Sequence, residues 1–266
     1  MAGRVDGKIA IVVGGGQTPG HTIGNGRATA LLLAREGATV LVADRYLESA
    51  QDTVDLIVKE GGAASACAAD ITQEDEIRAL IDACMSQHGR IDILHNNVGV
   101  SVELGDAPAT DLPAESFDAI VAINLRGMWL TCKHALPQMQ SQESGSIVNI
   151  SSMAARLAYP GVAYKTTKIA VIGLTENLAA ANAGHGIRVN VILPGLMNTP
   201  MAIENRVANG ADRDDLIAQR DSQVPLGRKM GTGWDVANAA LFLHSDDASF
   251  ITGVALPVDG GSALTR

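Results

Sequence analysis

The segment KIAIVVGGGQTPGHTIGNGRATALLLA, residues 8–34, decides the fold. It begins with an apolar, β-branched run, passes through a cluster of glycines, and ends in an alanine- and leucine-rich stretch. This order predicts a buried strand that turns directly into a helix. Glycines in such a turn leave backbone N–H groups open to a phosphate, which the N-terminus of the helix attracts. The candidate phosphate contacts are Gly14, Gly24, Asn25 and Gly26.

The alternation of strand and helix continues through the chain. Short apolar runs, which predict strands buried on both faces, occur at 8–14, 38–44, 64–70, 91–97, 145–151, 187–193 and 254–259. Helical patterns lie at 25–36, 46–60, 73–88, 115–140, 162–183 and 234–245. We therefore predict an α/β fold, a doubly wound parallel sheet of about seven strands with helices on both faces.

No linker or internal repeat interrupts this alternation, so we expect a single domain over residues 1–266. The segment 196–233 departs from the pattern, with two prolines, four glycines and mixed charges. It predicts a loop with one or two short helices, and a long insertion in a tight fold is a candidate lid over a substrate site.

Charge and cysteine content exclude several classes of protein. The formal net charge is −9, from 20 basic and 29 acidic residues, which argues against a nucleic acid or an anionic membrane as partner. Cys67, Cys84 and Cys132 lack paired spacing, and the six histidines lack metal-ligand spacing, so we expect no metal site. Without a signal peptide or an apolar run of ~18 residues, the chain is expected to be cytoplasmic.

Acidic residues end the second and third predicted strands. Asp44 follows Gly26 by 18 residues, where a carboxylate can accept hydrogen bonds from the adenosine ribose and repel a 2′-phosphate. It favours NAD over NADP, whereas the neighbouring Arg45 could act in the opposite direction. Asp70, followed by Ile71, is a candidate adenine contact. For both acids, capping of the next helix is the alternative interpretation.

A tyrosine and a lysine four residues apart, Tyr164 and Lys168, share one face of a predicted helix. A nearby ammonium favours the phenolate and so lowers the pKa of a phenol toward the working pH. The pair follows the strand GSIVNIS and two serines, Ser151 and Ser152.

These motifs together resemble the short-chain dehydrogenase/reductase family, in its compact single-domain form, over nearly the whole chain. The matching pieces are the glycine-rich turn, Asp70, Asn96-Asn97-Val98-Gly99, Asn124, Asn149-Ile150-Ser151-Ser152, Tyr164 to Lys168, Pro194-Gly195 with Thr199, and Asp259-Gly260-Gly261. The resemblance implies a Rossmann fold and hydride transfer with a nicotinamide cofactor.

The resemblance also implies a role for each matching residue. Tyr164 would be the acid/base, Lys168 would bind the nicotinamide ribose and help Tyr164 to ionise, and Ser152 would orient the substrate oxygen. Asn124 would hold a water in a proton relay from Lys168. The remaining cofactor contacts would be Asn97 and Gly99 on the adenosine side and Pro194, Gly195 and Thr199 at the nicotinamide.

The chain departs from the family pattern at Val13, where threonine is usual, at Val98, where alanine is usual, and in the length of two segments. Nine residues rather than three separate Gly14 from Gly24, which leaves six extra residues around Gln17 to Thr22 without an assigned role. Ser152 stands 12 residues before Tyr164, where 13 is usual, so Ser151 is a rival for the catalytic serine.

Two enzymatic interpretations remain open. The first is an oxidoreductase that transfers a hydride between NAD(H) and a secondary alcohol or ketone, and the second is an NADPH-dependent 3-oxoacyl-thioester reductase. Enoyl reductases of related fold space tyrosine and lysine by seven, an offset that no tyrosine of this chain has. We also expect a homotetramer, formed through the two long helices after Asn124 and Tyr164 and through residues 250–261.

Overall fold

Seven strands form one sheet in the computed structural model, which describes residues 3–264. The strands are β1 (Ile9–Val13), β2 (Thr39–Asp44), β3 (Ala63–Ala68), β4 (Ile93–Asn96), β5 (Gly145–Ile150), β6 (Ile187–Pro194) and β7 (Ala255–Val258). Their order is β3-β2-β1-β4-β5-β6-β7, and every pairing is parallel. The predicted doubly wound sheet is confirmed.

Helices cover both faces of the sheet. They are α1 (Asn25–Arg35), α2 (Leu47–Lys59), α3 (Glu74–His88), α4 (Ala114–Val121), α5 (Met128–Gln142), α6 (Val162–Asn182), α7 (Pro200–Ala208), α8 (Arg213–Ser222) and α9 (Gly233–His244). Residues of α1, α2 and α9 pack in one apolar cluster, and residues of α3, α5 and α6 pack in another. Each face of the sheet is thus covered by its own apolar core, because a parallel sheet must be buried on both faces.

The helix predicted over 115–140 contains a feature that its periodicity did not indicate. A π-helical turn, Ala122–Gly127, joins α4 to α5 without a break. The wider turn places Asn124 and Gly127 inside the protein, both buried. Such turns are typical of functional sites, because they reorient one side chain within a continuous helix.

The segment 196–233, whose lid function remains a prediction, contains α7 and α8. Apolar side chains of the two helices and the following loop form a small core of their own, centred on Ile203, Val224 and Met230. None of the helices between residues 3 and 264 combines the length and apolar composition that crossing a bilayer requires.

Candidate active site

The sequence-predicted site residues gather at the carboxyl ends of the parallel strands. Val13 of β1 is in register with Ala43 of β2 and with Asn96 of β4, so the loops that follow these strands begin side by side. Between β1 and β4 the chain order reverses, and in open α/β sheets the crevice at such a switch point is where ligands bind.

The first of these loops is held tightly against its neighbours. Gly14 has a φ of +78° and donates its amide to the Ala43 carbonyl over 2.8 Å. The Asn97 side chain donates to the Gly14 carbonyl over 3.0 Å. A Cβ on Gly26 would collide with that same carbonyl, so only glycine lets α1 approach the turn.

The six extra residues form an ordered loop that Gln17 closes. Its side chain accepts the Gly24 amide over 2.7 Å and donates to the Thr22 carbonyl over 3.1 Å. Its backbone amide donates to the Ser49 hydroxyl over 2.7 Å. The outer part of the loop meets α7, where the His21 amide lies 3.4 Å from a Glu204 carboxylate oxygen. The loop therefore connects the glycine-rich turn to the candidate lid.

The N-terminus of α1 fits the phosphates of a dinucleotide. A Cβ on Gly24 would meet no atom closer than 3.7 Å, so the backbone there is open to a ligand. The Asn25 side-chain oxygen is buried and has no hydrogen-bond partner in the described chain. Open backbone and an unused polar atom at a helix N-terminus are what an anionic cofactor with hydroxyl groups requires.

Asp44 and Asp70, the two acidic residues predicted to contact the cofactor, each accept hydrogen bonds within a turn of the structure. Asp44 Oδ1 accepts the Tyr46 amide over 3.1 Å at the start of α2, and its other oxygen faces Gly16. Arg45 is exposed and stacks 4.6 Å from the centre of the Tyr46 ring. The Asp44 carboxylate and the Arg45 guanidinium thus both lie where the 2′ group of a cofactor's adenosine ribose would be recognised.

Asp70 closes a turn before α3 rather than capping the helix. Its carboxylate accepts both the amide and the hydroxyl of Thr72, over 2.8 and 2.7 Å. The N-cap of α3 is Gln73, so the alternative interpretation of Asp70 as the cap is wrong. The side chain of Ile71 is buried in the core against Gly127 of the π turn.

Tyr164 and Ser152 face each other across the site. Tyr164 lies in the first turn of α6, and Ser152 is the second residue after the end of β5. The lowering of the Tyr164 pKa expected from Lys168 is not found: burial raises the pKa of Tyr164 to about 12, and a hydrogen bond with the Ser152 side chain acts in the opposite direction. A phenol with this pKa is protonated at neutral pH and so is able to donate a proton.

Ser151 is engaged elsewhere. Its hydroxyl is buried and donates to the Lys168 carbonyl over 2.6 Å, which ties β5 to α6. Because consecutive residues of an extended chain point in opposite directions, only one of the two serines can face Tyr164.

Lys168 is a buried cation below the Tyr164 ring. Its Nζ lies 5.5 Å from the ring centre and donates to the Ile150 carbonyl over 3.0 Å. Burial lowers the pKa of Lys168 to about 8. A Cβ on Gly99 would lie 2.9 Å from this Nζ, so Gly99 borders the lysine and leaves it room.

Asn124, carried by the π turn, holds the loop after β4. Its side chain accepts the Val100 amide over 2.8 Å and donates to the Val100 carbonyl over 2.9 Å. It also lies 3.3 Å from the Thr167 hydroxyl on α6. The side chain thereby connects the π turn, the loop after β4 and α6, and its role in a water relay remains a prediction.

The structure adds Asp106, which no sequence motif indicated. Helix α6 begins after Gly161, which has no capping side chain, and Asp106 supplies the cap from 55 residues earlier in the chain. Its carboxylate accepts the amides of Ala163 and Tyr164, over 3.0 and 3.2 Å. A Cβ on Gly161 would collide with that carboxylate. The missing local cap before α6 was the only available signal in the sequence.

Three residues at and beyond the end of β6 complete the site. Pro194 ends the strand, and the Gly195 amide donates to the Val258 carbonyl of β7 over 2.9 Å. Thr199 is buried and is the N-cap of α7. These residues fix where the candidate lid leaves the sheet.

Comparison with known proteins identifies the class. A family model described as enoyl-(acyl carrier protein) reductase matches residues 21–263. The chain is 35% identical to the 3-oxoacyl-(acyl-carrier-protein) reductase of Thermotoga maritima, over 98% of this chain and 100% of that protein. It is 37% identical to the 7alpha-hydroxysteroid dehydrogenase of Clostridium sardiniense, over 98% and 95%.

Solved structures agree with the sequence comparisons. Carveol dehydrogenase from Mycobacterium avium, in complex with NAD, superposes with a TM-score of 0.90 at 31% identity, over 99% of this chain and 100% of that chain. Fold and sequence thus define a nicotinamide-dependent oxidoreductase. The chain belongs to the short-chain dehydrogenase/reductase family.

Proposed function

We propose that this protein transfers a hydride between NAD(H) and a secondary alcohol or ketone, with Tyr164 as the acid/base. The observation that supports this proposal is the arrangement of Ser152, Tyr164 and Lys168. The serine hydroxyl meets the phenol from one side, and the lysine cation lies 5.5 Å from the centre of the phenol ring.

Each of the three side chains has one task in this proposal. Ser152 donates a hydrogen bond to the substrate oxygen and so sets its distance from Tyr164. In ketone reduction, Tyr164 gives its proton to that oxygen as negative charge develops there. Lys168 stabilises the phenolate that remains, since a nearby cation favours the charged form of a phenol. The bound nicotinamide supplies or accepts the hydride.

The cofactor would lie along the carboxyl edge of the sheet. Gly14, Gly24, Asn25 and Gly26 would receive the pyrophosphate, and Asp44 the adenosine ribose. The remaining contacts proposed for the cofactor are Arg45, Asp70, Ile71, Asn97, Gly99, Tyr164, Lys168, Pro194, Gly195 and Thr199. We propose NAD rather than NADP, because the Asp44 carboxylate ends β2 and would repel a 2′-phosphate.

The runner-up is an NADPH-dependent 3-oxoacyl-thioester reductase. It is favoured by the likeness to the Thermotoga maritima reductase and by Arg45, whose exposed guanidinium could pair with a 2′-phosphate. We further propose that residues 196–233 act as the substrate lid, that the protein is cytoplasmic, and that it assembles as a homotetramer.

One assay tests both the reaction and the cofactor. Purified enzyme is offered a panel of secondary alcohols and ketones with NAD(H) and with NADP(H), and nicotinamide absorbance is followed. We expect turnover with a clear preference for NAD(H), and we expect Tyr164→Phe to reduce kcat by at least 1,000-fold while NADH still binds. Retained turnover in Tyr164→Phe would refute the assigned acid, and a clear NADP(H) preference would refute the argument from Asp44.

A further inference from the structure

Two arginines of the 196–233 segment act electrostatically on tyrosines of the candidate site. Arg206 is in the last turn of α7, and Arg220 is in the last turn of α8. Both are partly buried. The Tyr159 ring, whose centre is 5.2 Å from that of Tyr164, lies within electrostatic range of Arg220, and Tyr164 lies within range of Arg206.

Neither arginine has an acidic partner among residues 3–264. Arg206 donates to the Ala202 carbonyl of its own helix over 2.7 Å, and Arg220 Nε lies 3.3 Å from the Met230 sulfur, a weak acceptor. No carboxylate of the described chain forms a salt bridge with either guanidinium. Most of their N–H groups are therefore free to bind another molecule.

The lack of an acidic partner at these two side chains does not come from a shortage of acids in the same segment. Glu204 pairs with Arg213, Asp212 caps α8, and Asp221 accepts the Met230 amide over 2.8 Å. These three carboxylates thus have partners of their own, and within the described chain Arg206 and Arg220 have no acidic partner although the net charge is −9.

The two guanidiniums also repel each other. Burial, with a smaller contribution from the positive charge of Arg206, lowers the pKa of Arg220 to about 10. Two partly buried like charges are unfavourable unless an anion lies between them. Glu103, which also acts electrostatically on Tyr164, is exposed and pairs with neither arginine within the described chain.

From this arrangement we propose that the substrate carries an oxyanion group, a carboxylate, sulfonate or phosphate, which Arg206 and Arg220 bind while Tyr164 acts on its carbonyl or carbinol. The inference rests on the proposed function only in taking Tyr164 as the reacting group. A planar guanidinium binds such anions with two parallel hydrogen bonds.

Binding is measured first, on the full-length enzyme with NADH, by calorimetry. The probes are hexanoate, hexane-1-sulfonate and hexyl phosphate, with hexanamide as the neutral control. We expect at least one anion to bind 10-fold or more tighter than the amide, with an affinity that falls as NaCl rises. Arg206→Gln and Arg220→Gln should each weaken it about 10-fold or more, because a charge-assisted hydrogen bond is lost.

Two sets of variants separate charge from folding. Arg228→Gln removes an exposed arginine of the same segment and should bind all probes like the wild type. Arg206→Lys and Arg220→Lys keep the charge and should retain part of the preference for anions. Equal binding of amide and anions, or unchanged anion binding in both glutamine variants, would overturn the proposal. So would a matching loss of NADH affinity, which would place the arginines on the cofactor phosphates.

Turnover then separates this inference from the proposed function. The substrates are 5-oxohexanoate and its methyl ester. We expect the acid to have the higher kcat/KM because its KM is lower. This difference should disappear in the two glutamine variants. Equal kcat/KM for acid and ester would overturn the oxyanion proposal and leave hydride transfer intact. Selective anion binding without turnover of any ketone or alcohol would instead refute the proposed function and support the anion site.

Discussion

Ser151 and Ser152 show at the scale of single residues how two identical side chains acquire different roles. Ser151 is buried and donates to the Lys168 carbonyl over 2.6 Å. Ser152 is less buried, and its hydroxyl meets both the Ala154 amide and the Tyr164 phenol. The first serine belongs to the packing between β5 and α6, and the second faces the site.

This difference predicts opposite outcomes for matched substitutions. Ser152→Ala should reduce kcat by about 100-fold or more, as loss of a donor to a developing oxyanion does, with little change in melting temperature. Ser151→Ala should lower the free energy of unfolding by about 1 kcal/mol, because a buried hydrogen bond is lost, and reduce kcat much less. Steady-state kinetics and thermal melts on both variants measure this. The reverse pattern would make Ser151 the catalytic serine.

How much of the site the sequence predicts depends on how local each feature is. Tyr164 and Lys168 are four residues apart on one helix, so their juxtaposition follows from helix geometry alone. The choice between Ser151 and Ser152 could not be made in this way, because it depends on which side of the strand end faces α6. The closure of the loop by Gln17 depends on contacts with Ser49 and Gly24, which spacing does not encode.

At the scale of elements, α6 depends on a residue far away in the chain. Asp106 accepts the amides of Ala163 and Tyr164 at the start of this helix, which has no cap of its own. The same carboxylate lies 3.5 Å from the Ser101 hydroxyl, which is 2.8 Å from the Tyr159 hydroxyl. Asp106 therefore fixes the first turn of α6, where Tyr164 lies, and acts as a positioning residue.

Removal of this cap should affect both stability and catalysis. We expect Asp106→Ala to cost about 1 kcal/mol of unfolding free energy, as for other N-cap losses. It should also reduce kcat more than it raises KM for the cofactor, because the phenol is misplaced. Asp106→Asn keeps one acceptor oxygen and should fall between wild type and alanine in both measurements. A loss of stability with unchanged kcat would show that Asp106 acts on folding alone.

Helices and strands were predicted well where their bounds follow from the periodicity of apolar residues. They were predicted poorly where their geometry depends on long-range packing. The seven strands fall within two residues of the predicted bounds because each is a continuous apolar run closed by polar or glycine residues. The π turn at Ala122–Gly127 was missed, because the order of polar and apolar residues over 115–140 does not show where one helical turn takes in an extra residue.

At the scale of the whole molecule, two buried histidines connect opposite parts of the core. His95 of β4 and His244 of α9 have ring centres 5.6 Å apart, and His244 also lies 3.1 Å from the Ser146 hydroxyl. Burial lowers the pKa of His95 to about 3. Burial, followed by the positive charges of His95 and Arg188, lowers the pKa of His244 well below its usual value.

These pKa values predict how stability depends on pH. Unfolded histidines titrate near pH ~6.5. Below that pH the unfolded chain binds protons that the folded chain excludes, so the free energy of unfolding falls as pH falls from about 6.5 toward 3. We expect His244→Asn to show a smaller drop in melting temperature between pH 7.5 and 5 than wild type. His185→Asn, at an exposed position, is the control. Identical drops in all three proteins would contradict this assignment.

Large apolar side chains exposed on the single chain predict how copies assemble. Phe250 is fully exposed, and Trp129 on α5 and Ile169 on α6 are exposed as well. We expect light scattering to give four times the 27.6 kDa chain mass. Phe250→Ser should shift the protein to smaller species, whereas Leu56→Ser, an exposed position on α2, should not. A monomer at micromolar concentration would contradict the proposed assembly.

The π turn also has a consequence for protein engineering. Engineering for stability would select this segment, since deleting one residue would restore regular α-helical hydrogen bonding where α4 joins α5. The same deletion would rotate Asn124 away from Val100 and Thr167 and release the loop that carries Gly99. Thermostability and activity are thus opposed at this turn, and stabilising mutations should be sought elsewhere in the chain.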